Sequence, residues 1–180
     1  MSYFKIKEGD LCKEANWNER TCERRQGGYS LNTDSLIEGT TVLPKGAVIA
    51  LDSEGTAILV KTAKTTAAAT KSATSINLEK GHGFVVGDKV NGATISAIDT
   101  TAADYDTLTI SALGAAVANG AVVASDFGTG IVGLNYASVV IDENPSVTVT
   151  LQAYDIDEST MPYPVNDAIK EALTSRHSFL

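Results

Sequence analysis

The stretch 74–125 does most to limit what this chain can fold into. Short apolar runs recur in it at 75–78, 84–86, 93–95, 107–110 and 121–123. Turn residues separate them at intervals of roughly 8 to 12 positions, which predicts a small antiparallel β-barrel or sandwich. Gly81-His82-Gly83 and Gly87-Asp88 supply the turn chemistry, because glycine takes positive φ at little cost. On either side lie segments of small residues. KTTAAATKSAT precedes the stretch and Asp126-Phe127-Gly128-Thr129-Gly130 follows it. Alanine favours helix in the first, but the threonines oppose it, so it reads as a linker. Paired linkers of this kind mark a unit, 67–126, inserted into a host domain.

The host reads as β on both sides of the insertion. In the first half Pro44-Lys45-Gly46 turns the chain, and Ala47, Ile49 and Leu51 fall on one strand face. Asp52-Ser53-Glu54-Gly55 makes a hairpin connection. Ala57 and Leu59 then line one face of the returning strand, and Ile58 and Val60 the other. In the second half Tyr136 to Ile141 forms a run, and Asp142-Glu143-Asn144-Pro145 turns it. SVTVTLQAY follows, with Val147, Val149, Leu151 and Ala153 on one face and Ser146, Thr148, Thr150 and Gln152 on the other. Such alternation predicts one buried and one wet face. Prolines 162 and 164 enforce an extended step, and Asn166 caps a short helix. Val165, Ile169, Ala172 and Leu173 would form its apolar stripe. The fold expected is therefore mainly β. A host β domain, 41–66 and 127–180, carries a short C-terminal helix and the inserted β-barrel or sandwich module at 67–126.

Residues 1–40 are polar and poor in periodic apolar pattern. A short helix over 14–25 would bury little beyond Ala15, Trp17 and Cys22 before Gly27-Gly28 ends it. The segment reads as an extended arm that orders against a neighbouring subunit. Trp17, Arg20, Arg24, Arg25 and Tyr29 are its candidate interface residues, being of the types that anchor interfaces.

The host halves resemble the two ends of tailed-phage capsid decoration proteins. The resemblance rests on the run 42–51, VLPKGAVIAL, and on the strand 147–154. It continues through Met161-Pro162-Tyr163-Pro164-Val165, then Asp167-Ala168-Ile169-Lys170-Glu171-Ala172-Leu173 and Arg176-His177-Ser178-Phe179. The central unit, with Lys80-Gly81-His82-Gly83-Phe84 and Val86-Gly87-Asp88, is similar to a β module of phage structural and head-fibre proteins. Together these cover 41–180. The resemblance implies a non-enzymatic virion component, typically a homotrimer, that braces neighbouring subunits of a major capsid protein. It would be made in the host cytoplasm and reside on the capsid surface, a prophage origin included.

The net charge of −8 opposes a sequence-independent grip on nucleic acid and docking to an anionic membrane. The chain has no run of about 18 apolar residues, so no spanning helix is expected. MSYFKIKEGD has no apolar core, so no signal peptide is expected. Cys12 and Cys22 fit no zinc spacing, with His82 and His177 far away in sequence, and read as reduced thiols.

Asp155, Asp157 and Glu158, with Asp142 and Glu143, would offer calcium oxygen ligands, but the spacing lacks a calcium loop's glycine and terminal glutamate. They read as solvated loops, and Asp99, Asp104 and Asp106 as turn residues. His82 has no nucleophile placed beside it and reads as a turn histidine at a barrel rim. No catalytic residue, metal or cofactor is expected. A carbohydrate-binding module is the alternative, resting on Tyr105, Tyr136, Tyr154 and Tyr163.

Overall fold

A computed structural model describes residues 13–37 and 39–180. Cys12 and the first part of the expected arm lie outside the described residues. The protein is mainly β. In chain order the strands are β1 (Glu23–Arg24), β2 (Tyr29–Ser30), β3 (Val42–Leu43), β4 (Val48–Leu51), β5 (Ala57–Leu59), β6 (Thr62–Lys64), β7 (Ser75–Glu79) and β8 (Lys89–Val90). There follow β9 (Ala93–Asp99), β10 (Tyr105–Ile110), β11 (Val122–Ala124), β12 (Gly130–Leu134), β13 (Val139–Val140), β14 (Ser146–Val147) and β15 (Thr150–Ile156). The helix α1 (Asp167–Leu173) and the strand β16 (His177–Phe179) complete the chain.

The hairpin β4–β5 forms as expected, with Ile49 opposite Leu59 and Ala50 opposite Ile58. Its burial is two-sided. Ala47, Ile49, Ala57 and Leu59 enter one apolar cluster with Leu43, Val147 and Val149. Val48, Ala50 and Val60 enter a second with Trp17, Leu134, Ile156 and Ile169. The hairpin thus stands between two cores, which explains why its sequence is apolar at nearly every position. β12 pairs antiparallel with the other edge of β4, making the sheet β12-β4-β5.

Residues 75–110 supply a four-stranded sheet in the order β7-β10-β9-β8. It closes over its own cluster, centred on Ile76, Leu78, Val90, Ile95 and Leu108. The run 84–86 is not a strand there: Phe84 is buried, but Val85 and Val86 are exposed. The Thr-Ala segment is not a loose linker either. Its first residue, Lys64, ends β6, which pairs with β11, and Thr65 is buried. Thr65 Oγ1 donates to the Ala118 carbonyl at 2.7 Å, and Ala69 bridges Val117. Threonine suits this position because its hydroxyl satisfies a backbone carbonyl of the facing segment.

The alternation expected through 146–153 breaks between β14 and β15. Val149 and Thr150 are both fully buried, Leu151 is exposed, and Ala153 is buried again. The backbone of β12 presses in at that point. A Cβ on Gly133 would lie 2.3 Å from the Thr150 carbonyl oxygen, closer than any side chain allows, so the position takes only glycine. Beyond it α1 starts as expected. Asn166 accepts the Ile169 N–H at 2.9 Å, and Val165, Ile169 and Leu173 are buried. Ala172 is exposed and does not belong to the stripe.

The N-terminal segment contains no helix over 14–25. Ala15 and Trp17 are buried in the chain's own core, β1 pairs with β15, and β2 pairs with β14. Its described part is a strap on the host sheet rather than a free arm. A segment too poor in apolar residues to fold alone is ordered here by backbone pairing to β14 and β15.

Candidate interaction surface

The strap carries the candidate interface residues, and the structure divides them. Arg24 ends β1, opposite Thr150, and Arg25 follows, its N–H donating to the Val149 carbonyl at 2.9 Å. Both side chains are exposed. The Arg24 guanidinium sits 5.2 Å from the centre of the Tyr136 ring. The Arg25 guanidinium sits 4.5 Å from the Tyr29 ring centre, and its Nη1 donates to the Tyr29 hydroxyl. Tyr29 lies opposite Val147, and the Tyr136 N–H donates to Thr148. The two tyrosines therefore bracket the same short stretch, residues 147 and 148. Between the arginines lies a surface cleft of about 300 Å³ lined by Arg24, Arg25, Gln26, Gly27 and Thr148. Tyr136 and Thr148 were not legible as parts of this surface, because cross-strand pairing alone brings them to the arginines.

Trp17 does not join that surface. It is 4% exposed, and its role as an interface anchor is corrected to one in the core. Lys45 Nζ stands 4.2 Å from its ring centre and also pairs with Glu19. Arg20 is exposed in a turn, its N–H held by Asn18 Oδ1. Cys22 is a half-buried free thiol, pushed up from its ordinary pKa by burial and then by Glu19.

Two charge clusters lie at or beside the sheet β7-β10-β9-β8. Asp106, expected as a turn residue, is instead a buried residue of β10, and its Oδ1 accepts from Lys80 Nζ at 2.7 Å. His82 Nε2 lies 3.3 Å from Asp106 Oδ2, although the two lack hydrogen-bond alignment, and its Nδ1 accepts the Phe84 N–H at 3.0 Å. Burial holds His82 below its ordinary pKa, with Asp106 opposing. Lys61, only 4% exposed, pairs with Asp88 at 2.8 Å and joins the β5–β6 connection to the 85–88 turn. Lys61, Lys80, Asp88 and Asp106 are each matched to a partner, a structural use of charge, whereas His82 Nε2 is buried without a hydrogen bond. The acidic loops are also in local use: Asp157 caps the 3-10 helix Glu158–Thr160, and Glu158 pairs with Lys170. Among the described residues no group of three or more His, Cys, Asp or Glu could hold a metal ion.

Large apolar side chains reach solvent on several elements. Val140 is 60% exposed on β13, Leu151 41% on β15 and Leu180 79% after β16. Val86 is 61% exposed on the inserted unit. The tyrosines considered as a sugar platform are dispersed. Tyr105 lies on β10, Tyr136 under Arg24, Tyr154 on β15, and Tyr163 beside a cleft between prolines 162 and 164. No family model, no curated protein and no solved structure matches the chain.

Proposed function

We propose that this protein is a non-enzymatic virion component that decorates the outside of a phage capsid and braces its subunits. One structural observation carries the reading: large apolar side chains stand in solvent at Val140 on β13 and Leu151 on β15. Apolar side chains left in solvent are available to be covered by another subunit. The residue resemblance of 41–180 to decoration and head-fibre proteins supplies the partner, a major capsid protein. It also supplies the expected homotrimer.

In this reading the host sheets are the clamp and the 75–110 sheet is the projecting unit. The strap adds Arg24, Arg25 and Tyr29 to the contact face. The test is co-sedimentation of the purified full chain with assembled capsids, together with light scattering of the chain alone. Trimers that sediment with capsids support the reading. A monomer that stays in the supernatant overturns it.

A further inference from the structure

We propose that Arg24 and Arg25 form a carboxylate-binding platform that takes an acidic segment of a partner protein. The proposal deepens the decoration reading by naming the chemistry of the surface met there.

The first argument is how the cations are distributed. Lys45, Lys61, Lys80, Lys89 and Lys170 each pair with a carboxylate of the same chain. Among the described residues no ion pair involves Arg24 or Arg25, and the same holds for Lys13, Arg20, Lys64, Lys71 and Arg176. Of these seven cations, Arg24 and Arg25 are the two that stand over aromatic rings.

The second argument is orientation. A guanidinium stacked on a ring is fixed in position with N–H donors left at its edge, and those donors match a carboxylate in pairs. Arg24 on Tyr136 and Arg25 on Tyr29 are both held in this way. Tyr29 also takes one donor of Arg25, which leaves the remainder for a ligand.

The third argument is shape. The cleft between the two arginines is about 300 Å³ and is floored by Thr148, with Gln26 and Gly27 at its side. A backbone with positive φ at Gly27 and Gly28 turns the chain there and leaves the cleft open.

The experiment is fluorescence anisotropy of the full chain with a labelled hexaglutamate peptide, and in parallel with a labelled single-stranded oligonucleotide. The expected result is peptide binding that weakens at least about tenfold in R24Q/R25Q and falls as salt rises. The charge-preserving R24K/R25K is expected to lose a smaller part, about threefold, because lysine is a point charge without the paired donors. Melting curves establish that both variants remain folded, and R24K/R25K still tests the idea if R24Q/R25Q does not. Peptide binding unchanged in both variants, absence of peptide binding, or tighter binding of the oligonucleotide each overturns the proposal. Peptide binding without capsid binding would leave the platform standing and remove the decoration reading. Capsid binding without peptide binding would do the reverse.

Discussion

The Thr150 hydroxyl and the His177 ring fix each other's hydrogen positions at the centre of the host fold. His177 Nδ1 sits 2.8 Å from the Leu173 carbonyl, which only accepts, so Nδ1 carries the proton. His177 Nε2 must then accept, and the Thr150 hydroxyl lies 2.9 Å away to donate. That hydroxyl in turn accepts the Leu134 N–H at 3.0 Å. The chain of bonds ties β12, β15, α1 and β16 together through one buried neutral histidine.

Acid should therefore loosen the fold before the carboxylates titrate. Burial lowers the His177 pKa from 6.5, and the Leu173 bond offsets part of that. His82 is lowered from 6.5 too, by burial, against Asp106 and with Lys80 and Lys61 adding to the effect. The folded state thus binds fewer protons than the unfolded one. The stability from the neutral rings is complete above the unfolded value and is lost as pH falls below it. Melting temperature is expected to fall between about pH 7 and about pH 5. The slope should flatten in H177Q, whose amide can donate to Leu173 and accept from Thr150. An identical slope in H177Q would refute this account.

The Lys61–Asp88 pair predicts an asymmetric cost. Lys61 is 4% exposed at the side chain and Asp88 is 26%. Removing the carboxylate in D88A leaves a buried cation and also frees the Val85 N–H that Asp88 accepts. Removing the cation in K61M leaves a carboxylate with access to water. D88A should cost about 3 kcal/mol and K61M about 1 kcal/mol. The double variant should be less unstable than the sum, as denaturant titration in a double-mutant cycle will show.

Gly133 predicts a steep local requirement. Its φ is +153°, and an added Cβ would meet the Thr150 carbonyl oxygen at 2.3 Å and Val149 Cβ at 3.1 Å. Backbone cannot withdraw as a flexible side chain can, so G133A should cost about 3 kcal/mol. G55A serves as the comparison, since nothing lies within 4 Å of its added Cβ and its cost would be backbone strain alone. Equal losses in the two variants would mean that the close approach at Thr150 carries no weight.

Local pattern was enough for elements whose partners are near in sequence. The β4–β5 hairpin and the Asn166-capped helix are both of this kind. It was not enough where distant segments meet. Thr150 turned inward because β12 presses on it and His177 needs its hydroxyl, neither of which alternation can encode. Asp106 was taken for a turn residue because Lys80 and His82 approach it only across the folded sheet. Val85 and Val86 form an apolar run, yet the turn at Gly87-Asp88, pinned by Lys61, leaves them in solvent. At the arginine platform the residue types were legible in Arg24, Arg25 and Tyr29. Its geometry was not, because Tyr136 is brought there by pairing beside Thr148.

Trp17 allows the strap to be followed on its own, since it is the single tryptophan of the chain. It is 4% exposed and packs with Val48, Leu134 and Ile156 in the host core. Its fluorescence therefore reports whether residues near 17 are seated on the host. The strap is joined by Ala15 N–H to the Lys45 carbonyl at 3.1 Å, Asn18 N–H to the Tyr154 carbonyl at 2.9 Å and Arg25 N–H to the Val149 carbonyl at 2.9 Å. Those bonds and the buried ring make it part of the same cooperative unit. Tryptophan emission should start blue-shifted, resist acrylamide quenching, and move red at the same denaturant midpoint as the far-ultraviolet circular dichroism. W17A should cost about 3–5 kcal/mol as a core truncation and leave hexaglutamate affinity unchanged in conditions where it folds. A tryptophan transition that precedes the loss of β signal would mean the strap detaches first. Trp17 would then be available to a partner, as the sequence alone had suggested.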